Sequence, residues 1–109
     1  MSMNDIISES KLERALVYLA ETDDQYAKER AELERAEILR KRIRARVFLA
    51  SDGTVAERQA MAEVHPDSEK ADDIYVATIA AVETLKARRQ RADIIIEVWR
   101  SLNANRRKT

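Results

Sequence analysis

The chain has 109 residues, with 20 Lys and Arg balancing 20 Asp and Glu, 45% hydrophobic and only 5% aromatic residues, one Gly, one Pro and no Cys. So little turn material excludes sandwiches, barrels and βαβ units, while the abundant periodic apolar residues exclude disorder. Without Cys there is neither a disulfide nor a thiolate zinc site.

The opening "MSMNDIISESKLER" lacks a basic start followed by an apolar run, so no signal peptide is expected there. Apolar runs extend over only a few residues, far short of a membrane span. The expectation is a soluble, cytoplasmic protein with no membrane partner. Residues 1–9 read as a flexible N-terminus.

A long helix is predicted over residues 10–51, opened by a capping box of Ser10 and Glu13. Apolar residues recur at Leu12, Leu16, Leu19, Tyr26, Leu33, Ala36, Leu39, Ile43, Val47 and Ala50, the spacing of one buried stripe. "ETDDQ" around Thr22 to Asp24 is a soft spot, read as a polar patch in a continuous helix, with a bend as the alternative.

"SDG" is expected to end that helix, with Gly53 taking a left-handed conformation. Thr54 and Glu57 form a second capping box, which opens a short helix over residues 54–64. "HPDSE" stops it, because the residue before proline avoids helical geometry and Pro66 cannot donate to the preceding turn. Asp67 or Ser68 is expected to cap the last helix, over residues 68–103, followed by a basic tail over 104–109.

In the last helix a heptad register reads Ala71, Ile74, Thr78, Ala81, Leu85, Arg88, Ala92, Ile95, Trp99 and Leu102. A second row of Tyr75, Ile79, Val82 and Ile96 widens the apolar face. Two long helices about one corner give an all-α fold: an antiparallel, coiled-coil-like hairpin with a short helix at the corner. The wide apolar face predicts assembly into a homo-oligomeric bundle.

Charge is distributed in blocks. Residues 1–37 carry five basic and ten acidic groups, net −5; residues 38–50 carry five basic and none acidic, net +5. Residues 51–83 carry two basic and eight acidic, net −6; residues 84–109 carry eight basic and two acidic, net +6. An antiparallel hairpin sets opposite signs side by side, which selects topology more than it stabilises. The same blocks carry a functional reading. Arg40, Lys41, Arg42, Arg44 and Arg46 cannot all face one helix. Lys86, Arg88, Arg89, Arg91 and Arg100 spread around the last helix, and Arg106, Arg107 and Lys108 make a basic end. Such clusters are candidate contacts to nucleic-acid phosphates.

Other residues carry less. Trp99, Tyr26 and Phe48 read as packing residues, and His65 as a surface turn residue. A single His makes no metal site, and no nucleophile–base pair or phosphate-cradling loop is present. No catalysis, cofactor or metal is expected.

Two stretches, "GTVAERQAMAEV" (Gly53 to Val64) and "IEVWRSLNANRR" (Ile96 to Arg107), resemble small helical proteins of the replication and recombination clusters of tailed phages. The layout of long helix, corner and basic last helix with Trp99–Arg100 is similar to the UvsY-type recombination mediators. The resemblance covers roughly the second half of the chain, and the first helix carries no matching signature. It implies a homo-oligomer that binds single-stranded DNA through basic positions of the last helix. It also implies a recombinase or a single-strand binding protein as partner, in a phage-infected host cytoplasm. A structural or adaptor oligomer that binds only protein partners is the alternative.

Overall fold

The computed structural model describes residues 7–107 and contains three helices: α1 (Glu9–Ala50), α2 (Val55–Val64) and α3 (Pro66–Arg107). The fold is all-α, with the two 42-residue helices packed together antiparallel and the short one between them. Among the described residues there is no strand. Contacts divide the chain into two compact units. One joins the residues up to Ala27 with those from Thr84 onward, and the other is Lys28–Glu83. The predicted flexible N-terminus lies mostly outside the described residues, although Ile7 is buried.

Helix ends follow local chemistry. α1 begins one residue before the expected start because Ser8, not Ser10, is its cap: the Ser8 hydroxyl accepts from the Lys11 amide at 3.1 Å, and its carbonyl accepts from Leu12. α1 passes through Thr22–Asp24 unbroken; Thr22 is buried and its hydroxyl donates to the Tyr18 carbonyl at 2.7 Å. At the other end the Ser51 hydroxyl donates to the Val47 carbonyl at 2.6 Å. Gly53 follows with φ of +113°, in the turn that leads to α2.

Thr54 caps α2 as expected, its hydroxyl accepting from the Glu57 amide at 3.2 Å, while the Glu57 carboxylate accepts from that same hydroxyl at 3.1 Å rather than from the Thr54 amide of a full capping box. α2 stops at Val64 as expected, but α3 starts at Pro66 rather than Ser68. Proline fits the first helical position, where no amide partner is required. That places the cap on His65, whose carbonyl accepts from the Ser68 and Glu69 amides and whose Nδ1 accepts from the Asp67 amide at 3.0 Å. Ser68, an expected cap, is fully buried instead, and its hydroxyl has no hydrogen-bond partner among the described residues. α3 also runs on to Arg107, past the expected end at 103.

Burial fixes the heptad register. In α1 the a positions Leu12, Leu19, Tyr26, Leu33, Arg40 and Val47 are buried or half-buried, as are the d positions Ala15, Thr22, Glu29, Ala36 and Ile43. In α3 the a row is Ser68, Tyr75, Val82, Arg89, Ile96 and Asn103, and the d row is Ala71, Thr78, Leu85, Ala92 and Trp99. The expected register had the d row right and took the g row for the a row. Ile74 is 49% exposed, Ala81 and Arg88 are exposed, and Ile95 and Leu102 are half-buried. In α1, Leu16 (49%), Leu39 (39%) and Ala50 likewise stand outside the seam. The seam is rich in small residues, which let helices approach closely and leave larger side chains on the flanks. In the first unit Ala15, Ala92 and Ile96 form the core, with Leu12, Tyr18, Leu19 and Ile95 packed on it.

Gly53 gives a direct test of the corner. A Cβ added there would lie 2.8 Å from the Glu57 carboxylate, in a backbone region that side-chain-bearing residues rarely adopt. Gly53→Ala is expected to destabilise the fold by more than about 1 kcal/mol. Denaturant unfolding of the variant beside the parent measures it.

Candidate nucleic-acid interface

The basic runs sit on α1 and α3, and helical geometry turns only some of each run toward solvent. In the first run Arg40 occupies an a position and Arg44 the neighbouring e position of the seam. The Arg40 Nε donates to Asp72 Oδ1 at 2.9 Å, and its guanidinium lies 4.4 Å from the centroid of the Tyr75 ring. Arg44 donates to both Asp72 oxygens, at 2.9 and 2.7 Å, and to Glu63 at 3.0 Å. Two arginines thus converge on one carboxylate, a strong bidentate arrangement. The hydrogen bonds from Arg44, then those from Arg40, lower the Asp72 pKa from 3.8 to about 2. The Arg44 guanidinium is in turn held more firmly protonated by Asp72 and Glu63.

The rest of that run is different. Lys41 pairs along its own helix with Glu37 at 3.5 Å. Arg42 and Arg46 are exposed and make no ion pair among the described residues. They are four residues apart, on neighbouring turns of α1, and Arg46 borders a hollow that Ile43, Val47 and Ile74 also line.

The second run divides the same way. Arg89 is an a-position residue whose side chain is only 18% exposed. It donates to the Leu19 carbonyl at 3.0 Å, to the Thr22 hydroxyl at 2.6 Å and to Asp23 at 2.5 Å, and lies over the Tyr26 ring. Its long apolar stem fills the seam while its head meets three acceptors. Lys86, Arg88 and Arg91 are exposed and make no ion pair among the described residues. Arg100 pairs locally with Glu97 at 3.0 Å, both largely exposed. Arg106 is exposed beside a small hollow lined by Ile7, Trp99, Leu102 and Asn103. Arg107 is the last residue of α3, and Lys108 lies outside the described residues.

Of the sequence candidates, Arg40, Arg44 and Arg89 are each turned into their own fold by acids and acceptors that composition alone does not pair. Arg42, Arg46, Lys86, Arg88 and Arg91 remain outward. Sequence reading passed over Asp72, Glu63 and Thr22 as partners; the signal was available in the a and e positions once the register is known. Trp99 and Tyr26 are half-buried seam residues, and Phe48 is half-buried with the Arg58 guanidinium 4.6 Å from its ring centroid. Among the described residues no three His, Cys, Asp or Glu side chains cluster as metal ligands. Among the described residues no helix is long and apolar enough to cross a membrane.

Comparison with known protein families, with characterised proteins and with solved structures returns no match.

Two tests separate the inward from the outward cations. Arg89→Ala removes charge-assisted bonds from a half-buried head and is expected to cost about 1.5–3 kcal/mol of stability. Arg88→Ala, one residue away and exposed, is expected to change it by no more than about 0.5 kcal/mol. Chemical denaturation of both variants checks the contrast. The Asp72 cluster has a pH signature. Because the folded-state pKa is lowered from 3.8 to about 2, its stabilisation is present above the unfolded value and is lost as pH falls through that interval. Thermal melts of the parent and of Asp72→Asn are expected to differ at neutral pH and to converge on acidification.

Proposed function

We propose that the protein is a non-catalytic nucleic-acid-binding accessory protein that holds single strands through Lys86, Arg88 and Arg91, with Arg42 and Arg46 as a second set of contacts. The observation that carries this reading is the exposure of these five cations without an ion pair among the described residues, in a chain with as many acids as bases. Asp23, Glu37, Asp72 and Glu97 on the same helices pair with other cations and not with these five. Exposed Lys and Arg on helical faces suit phosphate contacts, which give affinity with little sequence dependence. Arg88 and Arg91, three residues apart, share one face of α3.

The likeness of residues 53–64 and 96–107 to small helical proteins of phage replication and recombination clusters, and of the helix layout to recombination mediators, supports a setting in DNA recombination or replication in the host cytoplasm. A recombinase or a single-strand binding protein would then be the neighbouring partner. A second reading, a structural or adaptor oligomer with protein partners only, is favoured by the exposed apolar side chains Leu39, Met61, Val64 and Ile74.

Fluorescence anisotropy of a labelled single-stranded oligonucleotide at several salt concentrations tests the first reading. Binding is expected to weaken with salt at a log–log slope of about −0.7 for each phosphate engaged. Replacing Lys86, Arg88 and Arg91 together by Ala is expected to flatten that slope by about 2, with helix content unchanged. No binding at low salt would remove the nucleic-acid reading and leave the adaptor.

A further inference from the structure

The unit Lys28–Glu83 carries two apolar hollows that meet at Val47. The first is floored by Leu39, Ile43, Ala71 and Ile74, and Arg46, Lys70 and Asp67 line it as well. The second is formed by Ala50, Ala60, Met61 and Val64, together with Asp52 and Glu57. Leu39 and Ile74 in the first, and Met61 and Val64 in the second, are all exposed, Val64 to 64%. Large exposed apolar side chains around two adjoining hollows of a small unit are an association surface in want of a cover.

The charges identify the cover. Arg46 and Lys70 outweigh Asp67 in the first hollow, which is net positive, whereas the second holds Asp52 and Glu57 and no Lys or Arg. One surface therefore has a cationic end and an anionic end. A two-fold axis through its middle, near Val47, sets the first hollow of one copy on the second hollow of the other, and repeats the contact in reverse. Apolar side chains then meet apolar side chains, and each end meets the opposite sign. A partner of uniform charge would match one hollow and be repelled by the other. Isologous pairing of this kind is the commonest way for a chain to close an assembly.

We infer that this surface is the dimerisation face of the protein, and that its occupant is the same surface of a second copy. The inference shares Arg46 with the second set of contacts in the nucleic-acid reading, whose first set, Lys86, Arg88 and Arg91, belongs to the other unit.

Sedimentation velocity of the full chain over a concentration series tests it. A monomer–dimer equilibrium is expected, and Val64→Glu, at an exposed position of α2, is expected to raise its dissociation constant at least about tenfold. A charge exchange tests the geometry. Arg46→Glu with Lys70→Glu makes both hollows anionic, and Asp52→Lys with Glu57→Gln makes both cationic. Each variant alone is expected to be monomeric, and an equimolar mixture is expected to form a heterodimer. Circular dichroism reports whether each variant keeps its helices; if Val64→Glu loses them, the exchange decides alone. A parent chain that remains monomeric, a folded Val64→Glu variant that associates like the parent, or a mixture with no heterodimer each overturns the inference.

Discussion

Arginines placed where a coiled coil ordinarily has apolar side chains are the constraint on which the rest of this structure depends. A seam in which Ala15, Ala36, Ala71 and Ala92 are interspersed among larger apolar residues repeating every heptad offers little to distinguish one heptad offset from the next. Arg89 and Arg40, both at a positions, supply what the apolar residues lack. Each head must find its acceptors on the facing helix, and a slip of one heptad would leave a partly desolvated charge without them. Leaving such a charge unmatched is far more costly than the matched pair is favourable. The pins thus act mainly against alternatives, and Asp72 and Asp23 are their counterparts.

This division of labour explains which parts of the fold were legible from the chain alone. Gly53, Thr54 with Glu57, and Pro66 are local signals, and they located the end of α1 and the bounds of α2 to within a residue and the start of α3 to within two. The register of α3 was not legible in the same way. Three adjacent rows contain apolar residues: Tyr75, Val82 and Ile96 in one, Leu85 and Ala92 in the next, Ile74 and Ile95 in the third. A scan for apolar residues takes the row interrupted by Arg88 as readily as the row interrupted by Arg89. Only the facing helix, with Thr22 and the Leu19 carbonyl in reach, distinguishes the two arginines. Start positions failed for a related reason: Ser8 and Ser10 are equivalent as letters, and a histidine cap at His65 depends on which ring nitrogen meets an amide.

The candidate interface was legible only as a set of charges. Block counts found the two basic runs and the signs of their neighbours, and cross-helix pairs of Arg44 with Asp72 and of Arg89 with Asp23 follow the antiparallel matching. Block counts cannot say which members of a run a helix turns inward. A run of five cations over seven residues wraps through nearly two turns, so some of them face the seam and others point away. Inward-turned and outward arginines are thus interleaved in the sequence.

His65 ends α2 and begins α3, and the ring of Pro66 confines it to the extended backbone it adopts here, with φ of −64° and ψ of 138°. The angle at which the second arm leaves the corner is therefore favoured by covalent structure before any tertiary contact exists. An unfolded chain already samples this joint near its final geometry, so less conformational freedom is lost there on folding. The same economy makes the joint intolerant of length: one added residue between Val64 and Pro66 would give the two helices separate termini and release the direction that the pyrrolidine ring now sets.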